Sequence, residues 1–382
     1  MGYGQSVSDK TSAVPTMKAD GYYALHTAGA RAVIEATRPM LLKAASHVPI
    51  ALSRPLVIAD YGAADGQNSG DAFRATIGCL RWRSQNVTVQ VVYSDQPEND
   101  YSALFRWLHD EPPTGGGLPR SLLADLDEVY VTAVGDTFYR QVLPAESVTI
   151  GFSATAMHWL SRTPRAIPGH IHAVSAGGSV LQEFRDQARA DWDTLLRHRA
   201  RELVPGGFLI VANLCVDGHG RYVGNTGKAN VLDTLNNVWR SLYRDGLLSD
   251  QECAAATFPQ YFRTMAEIQT PFSERSSALR GQLTLVSSST NIVRCPYAAA
   301  FQRHRNAALL ADGLVPAVRS WSEGVFMIAL KTKQPAERAT IVDELYRRYR
   351  NLVIAKPKNH RLDYVHAYLL LRREETDGSC AT

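Results

Sequence analysis

Val57–Ser69 reads VIADYGAADGQNS. An apolar run ends on Asp60, small residues with Gly62 and Gly66 follow, and the amides Gln67 and Asn68 lead into Ser69. A short apolar run that stops at glycine predicts a buried strand. Glycines directly after a strand let the backbone turn sharply and approach a bound molecule closely. A dinucleotide-binding turn needs G-x-G-x-x-G. The pattern here is Asp60-x-Gly62-x-x-x-Gly66, so the turn answers to a different ligand. Asp60, at the strand end, is placed to stabilise positive charge or to accept a hydrogen bond.

The flanking sequence alternates. Upstream, Tyr22 to about Ser46 has helical spacing that Pro39 must interrupt or restart. Downstream, SGDAFRATIGCLRWR (69–83) predicts a helix with Ser69 or Asn68 near its N-cap. VTVQVVYSD (87–95) is β-branched and ends on Asp95, a second strand. NDYSALFRWLHD (99–110) predicts a helix, DEVYVTAVG (127–135) a third strand and SVTIGFSATAMHWLS (147–161) a fourth strand running into a loop. Residues 172–204 read as a loop and then a helix, which leads to PGGFLIVANL (205–214), a strand entered by a Pro-Gly-Gly turn. Strands alternating with helices imply an α/β, doubly wound parallel sheet, whose ligands sit at the carboxyl ends of its strands.

After about Asn213 the pattern changes. Residues 225–285 and 296–330 read as mostly helical, too long for a loop. Then IVDELYRRYRNLV (341–353) predicts a helix and LDYVHAYLLLRRE (362–374) a last strand returning to the sheet. The expected organisation is an N-terminal segment and helix covering the site over 1–50, an α/β core over 51–215, a helical cap over 216–335, and a returning helix and strand over 336–382.

Bulk properties narrow the function. Of 382 residues, 45% are hydrophobic and 20% charged, with a net charge of +4 and no Lys/Arg block, which argues against a nucleic-acid partner. Five scattered cysteines without a C-x-x-C pair suit a reduced, cytoplasmic protein. His170 and His172 form an H-x-H with no neighbouring ligand cluster, so no metal is expected. The start lacks an apolar signal core, and no run of about 18 apolar residues predicts a membrane span. Met1–Ser6 (MGYGQS) fits the loose myristoylation pattern, which a plain polar lead-in explains as well.

Several segments together resemble the plant-type SABATH family of class I S-adenosylmethionine-dependent methyltransferases. They are Tyr22-Tyr23-Ala24-Leu25-His26-Thr27, Gln67-Asn68-Ser69 after the glycine turn, Ser94 to Tyr101, Asp136 to Pro144, and Ser153 to Pro164 through Met157, His158 and Trp159. The resemblance runs in order along nearly the whole chain. It implies a Rossmann-like class I methyltransferase sheet with a mostly helical cap, and S-adenosylmethionine as methyl donor, leaving S-adenosylhomocysteine. It further implies that Tyr23, Thr27, Asp60, Gly62, Asn68, Asp95, Gln96, Thr137, Phe138 and Ser153 hold that cofactor. Asp95 would accept from the ribose hydroxyls and Phe138 would cover the adenine. Trp159 would meet a substrate carboxylate with its indole N–H, which is a donor only.

One departure matters. Where family members that methylate aromatic acids carry a carboxylate-holding Gln, this chain has Ala30. His158, beside Trp159, is then expected to supply the second donor, making Trp159 and His158 the groups at the reacting centre. The expected substrate is a small lipophilic carboxylic acid, a free fatty acid in particular, with Ala30 leaving room for a chain, as in a bacterial-type fatty-acid O-methyltransferase. Two alternatives stand beside it: a nitrogen or phenol acceptor in the same family, and a non-catalytic cofactor-binding regulator. A homodimer is compatible with either.

Overall fold

The computed structural model describes residues 15–109, 119–273 and 279–375. The Met1–Ser6 pattern and Cys380 lie outside the described residues. Strands in chain order are β1 Leu56–Tyr61, β2 Val89–Asp95, β3 Val129–Gly135, β4 Val148–Ala154, β5 Leu203–Val216, β6 Arg263–Thr264, β7 Leu283–Val293 and β8 Tyr364–Arg373. The first helices are α1 Tyr22–His26, α2 Ala28–Ala36, α3 Arg38–His47, α4 Gly70–Arg83, α5 Tyr101–Leu108 and α6 Gly178–Glu202. They are followed by α7 Val231–Arg244, α8 Asp250–Ala255, α9 Met265–Ser273, α10 Pro296–His304, α11 Ala307–Ala329 and α12 Pro335–Ala355.

The sheet runs β3-β2-β1-β4-β5-β8-β7, with β6 beside β5. Strands β1 to β5 are parallel. β8 lies antiparallel to β5, and β7 antiparallel to β8. This is the doubly wound α/β class I arrangement the sequence predicts. Strand order reverses between β1 and β4, so a crevice opens outside their carboxyl ends. Because β8 is antiparallel, its first residues lie at that same end: His366 sits opposite Leu214 of β5.

Burial explains why the central strands read as apolar runs. Every residue of β4 except the last, and the first eight of β8, is buried, as sheets covered on both faces require. Helices start where the sequence signals. Pro39 occupies the first turn of α3, where its missing N–H costs nothing. Asp100 caps α5 by accepting from Ser102 and Ala103. Ser69 precedes α4 but makes no side-chain cap; its hydroxyl donates to the Gly66 carbonyl instead.

The region read as mostly helical holds α7 to α11 but also β6 and β7. β7 is absent from the expectations. It is an edge strand, exposed through most of Ser287–Thr290, so the alternation of apolar residues that marks a strand is missing at its centre. The cap is tied to the sheet by a shared core. Trp239 and Phe258 both meet Phe326, at ring-centroid separations of 5.0 and 5.8 Å, and Tyr364 and Tyr368 of β8 join the same cluster. Each such aromatic buried contributes on the order of 1.5–3 kcal/mol. No helix among the described residues is long and apolar enough to cross a membrane.

Candidate active site

The turn after β1 is held by its own acids. Gly62 has φ +81°, and a Cβ there would overlap the Cβ of Ala156. Gly66 has φ +70°, and a Cβ would come within 2.6 Å of Leu104. Only glycine meets both demands. Asp95, at the end of β2, accepts from the Ala64 and Gln96 backbone N–H groups, each at 2.7 Å. Asn99 reaches back to the Ala64 carbonyl at 2.8 Å. Ala64 itself sits at φ +51°, and these bonds hold that costly conformation.

The N-terminal helices clamp the turn from above. The Ala24 N–H donates to Asp65 at 2.8 Å. Asn68 donates to the Thr27 hydroxyl at 3.0 Å and accepts from Arg31 at 3.1 Å. Thr27 thus orients Asn68 from behind.

The result is an open cleft at the carboxyl ends of β1, β2 and β4. Of the residues singled out from sequence, Tyr23, Ala30, Asp60, Gly62, Asn68, Asp95, Gln96, Phe138 and Trp159 line it. Thr27, Thr137 and Ser153 do not. Thr27 and Ser153 are buried, Ser153 donates to the Tyr61 carbonyl at 2.8 Å, and Thr137 caps its own loop near the Tyr139 N–H. Burial pushes the Asp60 carboxyl up to about 7, with Asp95 adding to the rise and the Ser69 hydroxyl opposing it. Desolvation raises Asp95 as well, against its two backbone N–H bonds. Two carboxyls in one desolvated cleft call for a cation and for hydroxyl donors.

A second, inner cavity shares Met17, Tyr23, Thr155 and Trp159 with the cleft. His158, Leu214, Val223, Gln260, Phe262, Trp321 and Tyr364 complete its walls. Trp159 stands at the junction. The Tyr139 hydroxyl bonds its carbonyl, and the segment is stitched to the cap through Leu160 N–H to Pro259, 2.7 Å, and Tyr261 N–H to His158, 3.0 Å. Buried Arg263 adds a bond to the Met157 carbonyl at 2.9 Å. The backbone of Trp159 is therefore fixed, while its indole N–H donates to no group among the described residues.

The inner cavity is mostly apolar, and the polar groups at its edge carry no charge. Burial holds His158 well below the usual histidine range, with His366, His172 and Arg263 adding to the effect. His172 and His366 are each pushed down to about 3, chiefly by burial. All three are neutral donors and acceptors at ordinary pH. Nδ1 of His158 is buried without a partner. A hydrogen bond to Asn213 opposes the downward shift. His170 lies elsewhere, bonded to Asp233 at 3.1 Å in a separate groove. Among the described residues no group of three potential ligands gathers for a metal.

Thr155, Gln260, Tyr364 and His366 belong to this region and were not legible as site residues. A histidine inside the apolar run YVHAYLLL was the one signal available.

The family described as SAM dependent carboxyl methyltransferase matches residues 17–374. Methyltransferase LUC1 of Fusarium sp is 27% identical over 261 residues, 68% of this chain and 66% of its own. The loganic acid O-methyltransferase of Catharanthus roseus is 24% identical over 56% of this chain and 58% of its own. The chain thus spans 58 to 66% of the length of these curated relatives. A solved loganic acid methyltransferase with SAH aligns over 95% of this chain and 99% of its own, at a TM-score of 0.73 and 20% identity. That likeness is one of fold.

Proposed function

This chain belongs to the family of S-adenosylmethionine-dependent carboxyl methyltransferases, and we propose that it forms the methyl ester of a small lipophilic acid. The observation that carries the reading is the free indole N–H of Trp159, fixed where the cleft meets the inner cavity. The cleft suits the cofactor. Gly62 permits close approach, Asp60 offers a desolvated carboxylate for the cationic amino-acid part, and Asp95 keeps acceptor capacity for ribose hydroxyls. Tyr23, Asn68, Gln96 and Phe138 complete its walls, with Phe138 as the adenine cover. Thr27, Thr137 and Ser153 act from behind as supports.

The acceptor's carboxylate oxygen gives an electron pair to the methyl carbon as the carbon–sulfur pair returns to sulfur, leaving ester, S-adenosylhomocysteine and no proton to move. A carboxylate, with pKa near 4, is already an anion. This chain needs only to hold it in line and exclude water, which alone can supply several kcal/mol of the barrier. Trp159 and the His158 imidazole orient it. A phenol would need a base near its working pH, and the buried histidines are too weakly basic to serve. The aromatic walls of Phe262, Trp321 and Tyr364 move our reading away from a long fatty acyl chain and toward a compact ring or short chain.

The test is a turnover screen with S-adenosylmethionine and free acids: alkyl acids from short to long, benzoate, salicylate and indole-3-acetate. Ester detected by mass spectrometry from the compact acids supports the reading. Ester from long alkyl acids alone restores the fatty-acid specificity. Cofactor binding without ester from any acid overturns it in favour of another acceptor or a regulator.

A further inference from the structure

Thr155 follows β4 directly and lines both the cleft and the inner cavity. Its φ is +54°, a genuine outlier for a β-branched residue. Such conformations persist only where the surroundings enforce them, and they cluster at functional sites. Here the Thr155 N–H is bonded to the Ala212 carbonyl at 2.8 Å, and its hydroxyl meets Nε2 of His366 at 3.0 Å.

His366 decides which way that hydroxyl points its proton. The ring is fully buried and neutral, and its Nδ1 has no partner. Were the Thr155 hydroxyl the donor, Nδ1 would carry an unpaired N–H in the interior. With the proton on Nε2, His366 donates to the Thr155 oxygen and only a lone pair is left unmet, the cheaper arrangement. The Thr155 O–H is then free to donate, and the space it borders is the junction of the two cavities.

We propose that Thr155 is a carboxylate-holding donor of the acceptor site, supplying a hydrogen bond that Ala30 cannot, and that His366 is its positioning residue. The proposal rests on the carboxylate reading above. It gives the acceptor three donors at one junction: the Trp159 indole, the His158 imidazole and the Thr155 hydroxyl. A hydrogen bond accepted from a polarised hydroxyl orients the carboxylate without a fixed positive charge that would hold it too tightly to react.

The experiment is a double-mutant cycle with Thr155→Val and His366→Leu, plus Thr155→Ser as rescue. Valine keeps the branched shape and puts a methyl where the hydroxyl was, so it takes the acceptor from His366 as well as the donor from the cavity, and cooperative melting of every variant is checked first. The acid is whichever of the turnover screen the wild type esterifies fastest, or indole-3-acetate where none is esterified, and its affinity for the S-adenosylhomocysteine complex is measured by calorimetry alongside. Thr155→Val is expected to lower kcat/KM about ten- to a hundredfold, the range for a hydrogen bond to a charged group. S-adenosylhomocysteine affinity stays within about twofold on the same scale. Thr155→Ser recovers most of the loss, and His366→Leu costs nothing further in the Thr155→Val background because it acts through Thr155. Unchanged kcat/KM in Thr155→Val overturns the proposal, as does a loss that follows cofactor affinity, or additive costs in the double variant. If the wild type esterifies no acid of that screen, the proposed function fails by that result. The calorimetric acid affinity then decides on Thr155 separately, and equal affinity in wild type and Thr155→Val overturns its role.

Discussion

The outer cleft and the inner cavity meet at Trp159 and Thr155 yet are built on opposite electrostatic plans. The cleft carries Asp60 and Asp95, two acids desolvated in one space. The inner cavity is bordered by His158 and backed by His172 and His366, all held neutral by burial. On the proposed function, one side receives a cation and the other an anion that must stay reactive. A fixed positive charge in the inner cavity would bind a carboxylate more tightly but lower its nucleophilicity. Neutral donors orient it at smaller cost, because binding the ground state as strongly as the transition state gains no rate.

Changes to the turn should break the cleft side most completely. Gly62→Val places a β-branched residue at φ +81° and against Ala156. The left-handed conformation alone costs about 1–2 kcal/mol, and the overlap adds more. S-adenosylmethionine affinity should fall by more than about a hundredfold, measured by calorimetry on protein whose cooperative melting is checked first. A folded variant that binds as wild type does would remove the close approach at Gly62 from the account.

Asp95→Ala comes next. It deletes an acceptor and also the anchor of the Ala64 N–H, so cofactor affinity should drop about thirty- to a hundredfold, as for a charged hydrogen-bond partner lost in a buried site. Unchanged affinity would mean that Asp95 serves only the turn. Trp159→Phe tests the other side. It keeps the ring and removes the one N–H, and should lower kcat/KM for the acid about tenfold while leaving cofactor affinity alone. Equal kinetics in the two proteins would take the indole out of the acceptor site.

The two sides also differ in how far they could be read from sequence. The cleft is made of contiguous pieces: a strand, a glycine turn and an acid at the next strand end, each with local chemistry that dictates its residues. Asp60, Gly62 and Asp95 were legible as cleft-lining residues for that reason, whereas Asn68 and Phe138 came from the family resemblance. Thr27 and Ser153 were found by the same motifs but act through Asn68 and Tyr61, a distinction spacing cannot make. The inner cavity draws Gln260, Trp321, Tyr364 and His366 from elements far apart in the chain. No spacing marks them. β7 was missed on similar grounds, its centre being polar and exposed at a sheet edge. The doubly wound parallel sheet was accessible from alternation alone, whereas its strand order and the pairing of 158–160 with 259–261 depend on tertiary contact.

The smallest expected effect sharpens the electrostatic contrast. In the empty protein Asp60 ionises only near pH 7, against about 3.9 in an unfolded chain. Folding therefore favours the protonated form, and Asp60 withdraws stability as pH rises from about 4 toward 7. A cationic ligand favours the ionised form, so binding below pH 7 must release that proton. S-adenosylmethionine affinity should thus weaken about tenfold from pH 8 to pH 6, at most a factor of ten per unit for one proton. In Asp60→Asn the affinity is lower at pH 8 and this part of the slope is gone. Acid affinity measured on the S-adenosylhomocysteine complex should stay level over the same range, because the histidines of the inner cavity remain neutral throughout. A cofactor slope that survives Asp60→Asn would assign the titration elsewhere. An equal slope for the acid would mean that the inner cavity gains charge in that range, which would end the contrast between its two sides.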